Sequence, residues 1–187
     1  MLNTFVVYVE NKPGVLTRVA SLFRRRAFNI DSLTVGRTEK AEVSRMTIVV
    51  DADYDQAQRV EANLYKLVNV LFVENITGKP SISRDLAMIK VSATHDSRSH
   101  VLQLADVFRS RVVDVGPESV TIEVTGPEAK IDRLLEVLRP YGILEMVRTG
   151  VVAMARGTKS EETAGSAAAA GSGAATVASD DSVSYSV

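Results

Sequence analysis

The sequence contains no cysteine, which excludes disulfides, thiol catalysis and thiolate metal sites. A reducing cytoplasm is the default expectation for such a chain. No apolar run approaches the roughly 20 residues needed to cross a bilayer. The opening segment, "MLNTFVVYVE", lacks a basic stretch followed by an apolar one, so neither a leader peptide nor a membrane role is expected. Phosphate-cradling patterns are missing too: neither GxxxxGK[ST] nor GxGxxG occurs. There are only two histidines, His95 and His100. They flank the start of one predicted helix, and a surface or capping role is expected for them in preference to metal binding. No Ser-His-Asp set and no activated nucleophile can be marked, which weighs against catalysis without deciding it, since active sites assemble from residues distant in sequence.

Charge is also short of a footprint for nucleic acid. The net charge is −1. Residues 158–187 carry Lys159 against Glu161, Glu162, Asp180 and Asp181, leaving the remainder at only +2. Arg24, Arg25 and Arg26 are adjacent, but no aromatic-rich strand of the RNA-binding kind accompanies them. They read as a solvated helix end whose cations complement the helix dipole.

What is present is a doubled pattern. "TFVVYVE" is a strand, and residues 13–26 form a helix whose Val15, Leu16, Val19, Leu22 and Phe23 share a face. "NIDSLTVGRT" and "VSRMTIVVD" follow as strands. Asp53 can cap a second helix carrying Ala57, Val60, Leu64 and Leu67, and "NVLFVENIT" closes the half as a strand. After a linker at 78–84, with Gly78 and Pro80 as breakers, the order repeats. "DLAMIKVSAT" is a strand, and Val101, Leu104, Ala105 and Phe108 line a helix. "RVVDVG" and "SVTIEVTG" are strands, Pro127 opens another helix, and "ILEMVRTGVVAMA" is the last strand.

The predicted class is α+β. Two ferredoxin-like βαββαβ domains, at 1–77 and 85–157, are each an antiparallel sheet with both helices on one face. Residues 158–187 are rich in Ala, Gly and Ser and lack Leu, Ile and Phe, so a disordered tail is expected. Strands such as "TFVVYVE" are apolar at nearly every position, which predicts burial on both faces. An uncovered apolar face or edge predicts self-association. Arg45 and Met46 are candidates to reach a partner subunit.

The stretch Asn11-Lys12-Pro13-Gly14-Val15-Leu16 joins the first strand to the first helix. Pro13 presets φ, and Gly14 allows close approach to the backbone. The amides of Gly14, Val15 and Leu16 are first-turn donors with no intrahelical partner, at the positive end of the dipole. Asn11 offers both a donor and an acceptor. Together these suit the carboxylate and ammonium of a free amino acid, with Val15 and Leu16 beside its side chain. Asn29 lies at the far end of the helix, about 20 Å away, so only an antiparallel pair of chains could bring the two ends to one ligand. The same residues also compose an ordinary strand–helix turn, and local sequence does not choose between the two.

"VENKPGVLTRVASLFRRRAFNIDSLTVG", followed by "SRMTIVV", resembles the regulatory (small) subunit of acetolactate synthase, also called acetohydroxyacid synthase. The first half resembles that family's ACT domain. "VFRSRVVDV" and "RTGVVAMARG" resemble its C-terminal domain. The resemblance spans about residues 1–157.

It implies a homodimer through the ACT domain. Valine, or another branched-chain amino acid, would bind between Asn11, Pro13, Gly14, Val15 and Leu16 of one subunit and Asn29 and Ile30 of the other. It further implies association with a large catalytic subunit holding thiamine diphosphate, Mg²⁺ and FAD, none of which this chain would bind. A free-standing amino-acid sensor acting on transcription or another enzyme is the alternative.

Overall fold

Alternation in the first strand sets the first layer. The computed structural model describes residues 1–157. Its first half runs β1 (Leu2–Glu10), α1 (Val15–Arg25), β2 (Ile30–Arg37), β3 (Val43–Asp51), α2 (Tyr54–Leu64) and β4 (Val70–Asn75). Phe5, Val7 and Val9 of β1 and Met46, Ile48 and Val50 of β3 point to one side of the sheet. There they meet Val15, Val19, Leu22 and Phe23 of α1 and Ala57, Val60 and Leu64 of α2. Each fully buried aliphatic or aromatic side chain contributes about 1.5–3 kcal/mol. The four strands are antiparallel neighbours in the order β2-β3-β1-β4.

The second half repeats the plan: β5 (Ser81–Ser92), α3 (His95–Val107), β6 (Arg111–Val115), β7 (Ser119–Gly126), α4 (Glu128–Leu138) and β8 (Ile143–Arg148). Corresponding strands occupy corresponding places, in the order β6-β7-β5-β8. Ala87, Ile89, Val91, Ile122, Ile131 and Leu134 are fully buried in its core. The α+β class and the doubled βαββαβ order are as the sequence predicts. The tail expected at 158–187 lies outside the described residues.

Helix ends follow local chemistry. Asp53 caps α2 as expected: its carboxylate accepts from the Gln56 amide at 2.8 Å, and the Gln56 side chain accepts from the Asp53 amide at 3.0 Å, a capping box. Pro127 sits one residue outside α4, as its N-cap. At the end of α1 the chain closes a Schellman turn. The Phe28 amide donates to the Phe23 carbonyl, the Ala27 amide donates to Arg24, and Ala27 takes φ +57°. Phe28 then lies edge-on to Phe23, with ring centroids 6.4 Å apart. The end of α3 repeats this, with Arg109 at φ +50° and the Ser110 amide on the Ala105 carbonyl.

Two features of the strand pattern differ from the sequence expectation. Ser81–Arg84, expected in the linker, already belong to β5 and pair with a further strand, β9 (Val152–Ala155). The last strand is not continuous: it breaks at Thr149–Val151, where Gly150 takes φ +83°. The cause of both is a crossing. β8 belongs to the second sheet, whereas β9 lies on the outer face of the first. Consequently that outer face is covered in part by the chain itself. Val6, Ile76 and Ala153 are buried there, with Tyr8, Val151 and Ala155 packed around them.

Arg45, offered as a partner contact, instead sits 5.7 Å from the Tyr8 ring centroid and donates to Tyr8 Oη and the Ala153 carbonyl. Met46 is buried in the first core. The outer edges of β2 and β4 have no strand partner among the described residues.

Candidate functional site

The turn at the head of α1 is a type II β-turn. Lys12 and Val15 are its ends, with a Val15 N to Lys12 O distance of 3.4 Å. Pro13 is at the second position, and Gly14 at the third with φ +81° and ψ −7°. Gly14 is therefore the N-cap in left-handed geometry, and the helix starts at Val15, two residues later than the sequence predicts. A glycine N-cap offers no side-chain acceptor, and the first turn contains no acidic residue. The amides of Gly14, Leu16 and Thr17 have no backbone acceptor among the described residues. The positive end of the helix dipole is thus left uncompensated by the chain.

Asn11 is exposed beside this turn. Its backbone amide donates to Glu42 O at 2.7 Å and its Nδ2 to Ala41 O at 2.9 Å. That fixes the side chain and leaves Oδ1 as an acceptor. Val15 is 4% exposed, with its side chain in the core, whereas Leu16 is 44% exposed. The expected apolar wall beside the turn therefore comes from Leu16 and not from Val15, whose side chain is in the core and whose amide closes the turn on the Lys12 carbonyl. Leu16 continues into a shallow groove of about 300 Å³ along the solvent face of α1, with Thr17, Ala20, Ser21 and Arg24.

A second set of polar residues, not singled out from the sequence, steadies the turn. Asn69 accepts from Arg18 Nη1 at 2.6 Å through Oδ1 and donates to Glu10 Oε2 through Nδ2. The Asn69 hydrogen bond, aided by Lys12 Nζ at 3.2 Å, holds the Glu10 carboxyl below its ordinary range. Asn69 precedes β4, far from Glu10 in sequence, so no local spacing could have signalled the pairing.

Asn29 and Ile30 stand at the other end of α1. Asn29 is exposed, and Ile30 packs its side chain against the first core. The 11-residue helix separates them from the turn by roughly 16 Å. Within one chain the structure thus gathers Asn11, Pro13, Gly14, Val15 and Leu16 and leaves Asn29 and Ile30 apart. His95 opens α3. Among the described residues no three His, Asp or Glu side chains cluster so as to hold a metal ion.

Two family models match the chain in tandem: "AHAS small subunit-like ACT domain" over residues 5–72 and "Small subunit of acetolactate synthase" over 84–157. A probable acetolactate synthase small subunit of Archaeoglobus fulgidus is 50% identical over 159 residues, covering 85% of this chain and 99% of that protein. The chain belongs to the acetolactate synthase small-subunit family. A small subunit of Mycobacterium bovis is 48% identical over 162 residues, covering 87% of this chain and 96% of that protein. The crystal structure of the acetolactate synthase small subunit from Thermotoga maritima superposes with a TM-score of 0.79 at 36% identity, covering 85% of this chain and 99% of that one. Small-subunit membership accounts for the doubled plan, and it places the turn and the whole of α1 in the ACT part. No helix among the described residues is long and apolar enough to cross a membrane.

Proposed function

We propose that the chain is the regulatory subunit of an acetolactate synthase. It raises the activity of a large catalytic subunit and makes that activity sensitive to a branched-chain amino acid, valine foremost. Family membership supports the partner. The observation that carries the effector site is the uncapped head of α1, with free amides at Gly14, Leu16 and Thr17 beside Asn11 Oδ1. A carboxylate answers the amides and the dipole, and an ammonium answers Oδ1. Leu16 meets the aliphatic side chain. Two copies pair through their ACT halves, so that Asn29 and Ile30 of the second copy complete the site. Thiamine diphosphate, Mg²⁺ and FAD belong to the catalytic partner.

The chemistry of the reaction is therefore not this chain's. Its contribution is a difference in affinity. The ACT pair has two arrangements, and the amino acid binds one of them better. Only that difference biases the catalytic subunit, typically by about 1–3 kcal/mol, or about 5–150-fold.

The test is reconstitution. The purified chain is mixed with a catalytic subunit, and acetolactate formation is assayed with and without valine. Asn11→Ala is expected to keep activation within about twofold while valine inhibition weakens by at least about tenfold, the loss of a charge-assisted hydrogen bond. Activation and inhibition lost together would mean that the turn serves folding. Valine binding with no effect on any thiamine-dependent synthase would favour a free-standing sensor instead.

A further inference from the structure

The Thr149–Val151 turn ties the end of β2 to both halves of the chain. The Val151 amide donates to Ser32 Oγ at 3.0 Å, and Thr34 Oγ1 donates to the Thr149 carbonyl at 3.4 Å. Gly150 is pressed against the same residues. A Cβ there would lie 2.6 Å from Ser32 Oγ and 3.1 Å from Thr34 Oγ1, on a backbone with φ +83°. Toward the second sheet the turn is equally fixed. Thr149 Oγ1 donates to Asp85 Oδ1 at 3.1 Å, and Arg148 Nε donates to Asp85 Oδ2 at 2.9 Å. Asp85 is only 5% exposed. Toward the first sheet, Val151 and Ala153 pack on its outer face.

Ser32 and Thr34 reach this turn because of an irregularity in β2. Ile30 pairs with Val50 and Ser32 with Val49, leaving Asp31 as an extra residue. In a regular strand Ile30 and Ser32 would share a face. The bulge lets Ile30 pack into the core while Ser32 and Thr34 face the turn. Without it, either Ile30 or Ser32 must change sides, since a one-residue slip exchanges faces. This is a discrete choice, not a graded one. An open pocket of about 430 Å³ adjoins it, lined by Asp31, Ser32, Leu33, Asp85 and Arg148 together with the turn itself.

We propose that the Thr149–Val151 turn is the joint through which occupancy of the Asn29–Ile30 end of β2 reaches the second sheet. This rests on the amino-acid reading above. A ligand held by Asn29 and Ile30 acts on the residues whose facing decides whether Ser32 meets Val151. The joint then passes that choice to β8, which is covalently continuous with it.

Hydrogen–deuterium exchange on the full chain, with and without saturating valine, tests this. In the unmodified chain valine is expected to change exchange both at residues 30–37 and at 143–148. Ser32→Ala combined with Thr34→Val should keep the valine Kd within about threefold and keep the change at 30–37. The change at 143–148 should shrink by at least about fivefold. Gly150→Ala should behave alike, and Ser32→Ala alone serves if either variant fails to fold. An undiminished change at 143–148 in the variants would overturn the joint. So would valine binding by the unmodified chain with no change beyond the first sheet; the amino-acid reading survives both outcomes. No binding of valine, leucine or isoleucine by the unmodified chain would remove that reading, and the joint with it.

Discussion

Gly14→Asp is expected to abolish valine inhibition of the reconstituted synthase while activation of the catalytic subunit persists. Gly14 holds φ +81°, and a Cβ added there meets nothing within 4 Å. Left-handed geometry costs an L-residue about 1–2 kcal/mol, and Asp is among the residues that tolerate it best. The fold should therefore survive. The new carboxylate would sit beside the amides of Leu16 and Thr17, compensate the dipole itself, and repel an incoming carboxylate. At about 4 Å and an effective dielectric near 20, that repulsion is about 4 kcal/mol, so affinity should fall on the order of 100-fold or more. Calorimetry measures the affinity, and inhibition curves measure the consequence. Gly14→Asn, which adds similar bulk without charge, should lose much less. Inhibition that survives Gly14→Asp would refute the placement of the ligand's carboxylate at this turn.

Phe23→Ala is expected to cost about 3–5 kcal/mol of folding stability, as truncation of a fully buried aromatic does. Phe23 is 1% exposed and carries both parts of the α1 terminus: its carbonyl accepts from Phe28, and its ring meets the Phe28 ring. Truncation opens a cavity and removes the aromatic contact that accompanies the turn. Urea denaturation followed by far-ultraviolet circular dichroism measures the loss. A cost below about 1 kcal/mol would mean that the core relaxes around the site in a way its packing does not indicate. Asn29 follows directly, so valine affinity should weaken together with stability in this variant. In Gly14→Asp the two should separate.

Much of this was legible from residue spacing. The helical recurrence of Val15, Val19, Leu22 and Phe23 located α1, and β3 and β7 run over the apolar segments "VSRMTIVVD" and "SVTIEVTG" that the sequence marks as strands. Asp53 followed by Gln56 announces a cap from local chemistry alone. The location of the candidate site was visible too, because Pro-Gly between a strand and a helix is a local signal. Its details were not. Proline's φ suits both a first helical residue and the second position of a type II turn, and only the left-handed Gly14 separates them. Ala27 and Arg109 close helices in a geometry usually left to glycine, so nothing in their identity announces it. The Asn69 bridge and the β9 crossing depend on residues distant in sequence, where spacing carries no information.

The crossing of β9 onto the first sheet bears on how this molecule can be divided. Cutting after residue 77 looks safe from the doubled pattern, yet it would strip Ala153 and its neighbours from Val6 and Ile76 and leave a greasy patch facing water. Such a fragment is expected to clump on gel filtration, and that stickiness would reflect a lost lid, not a failure of the remaining half to fold.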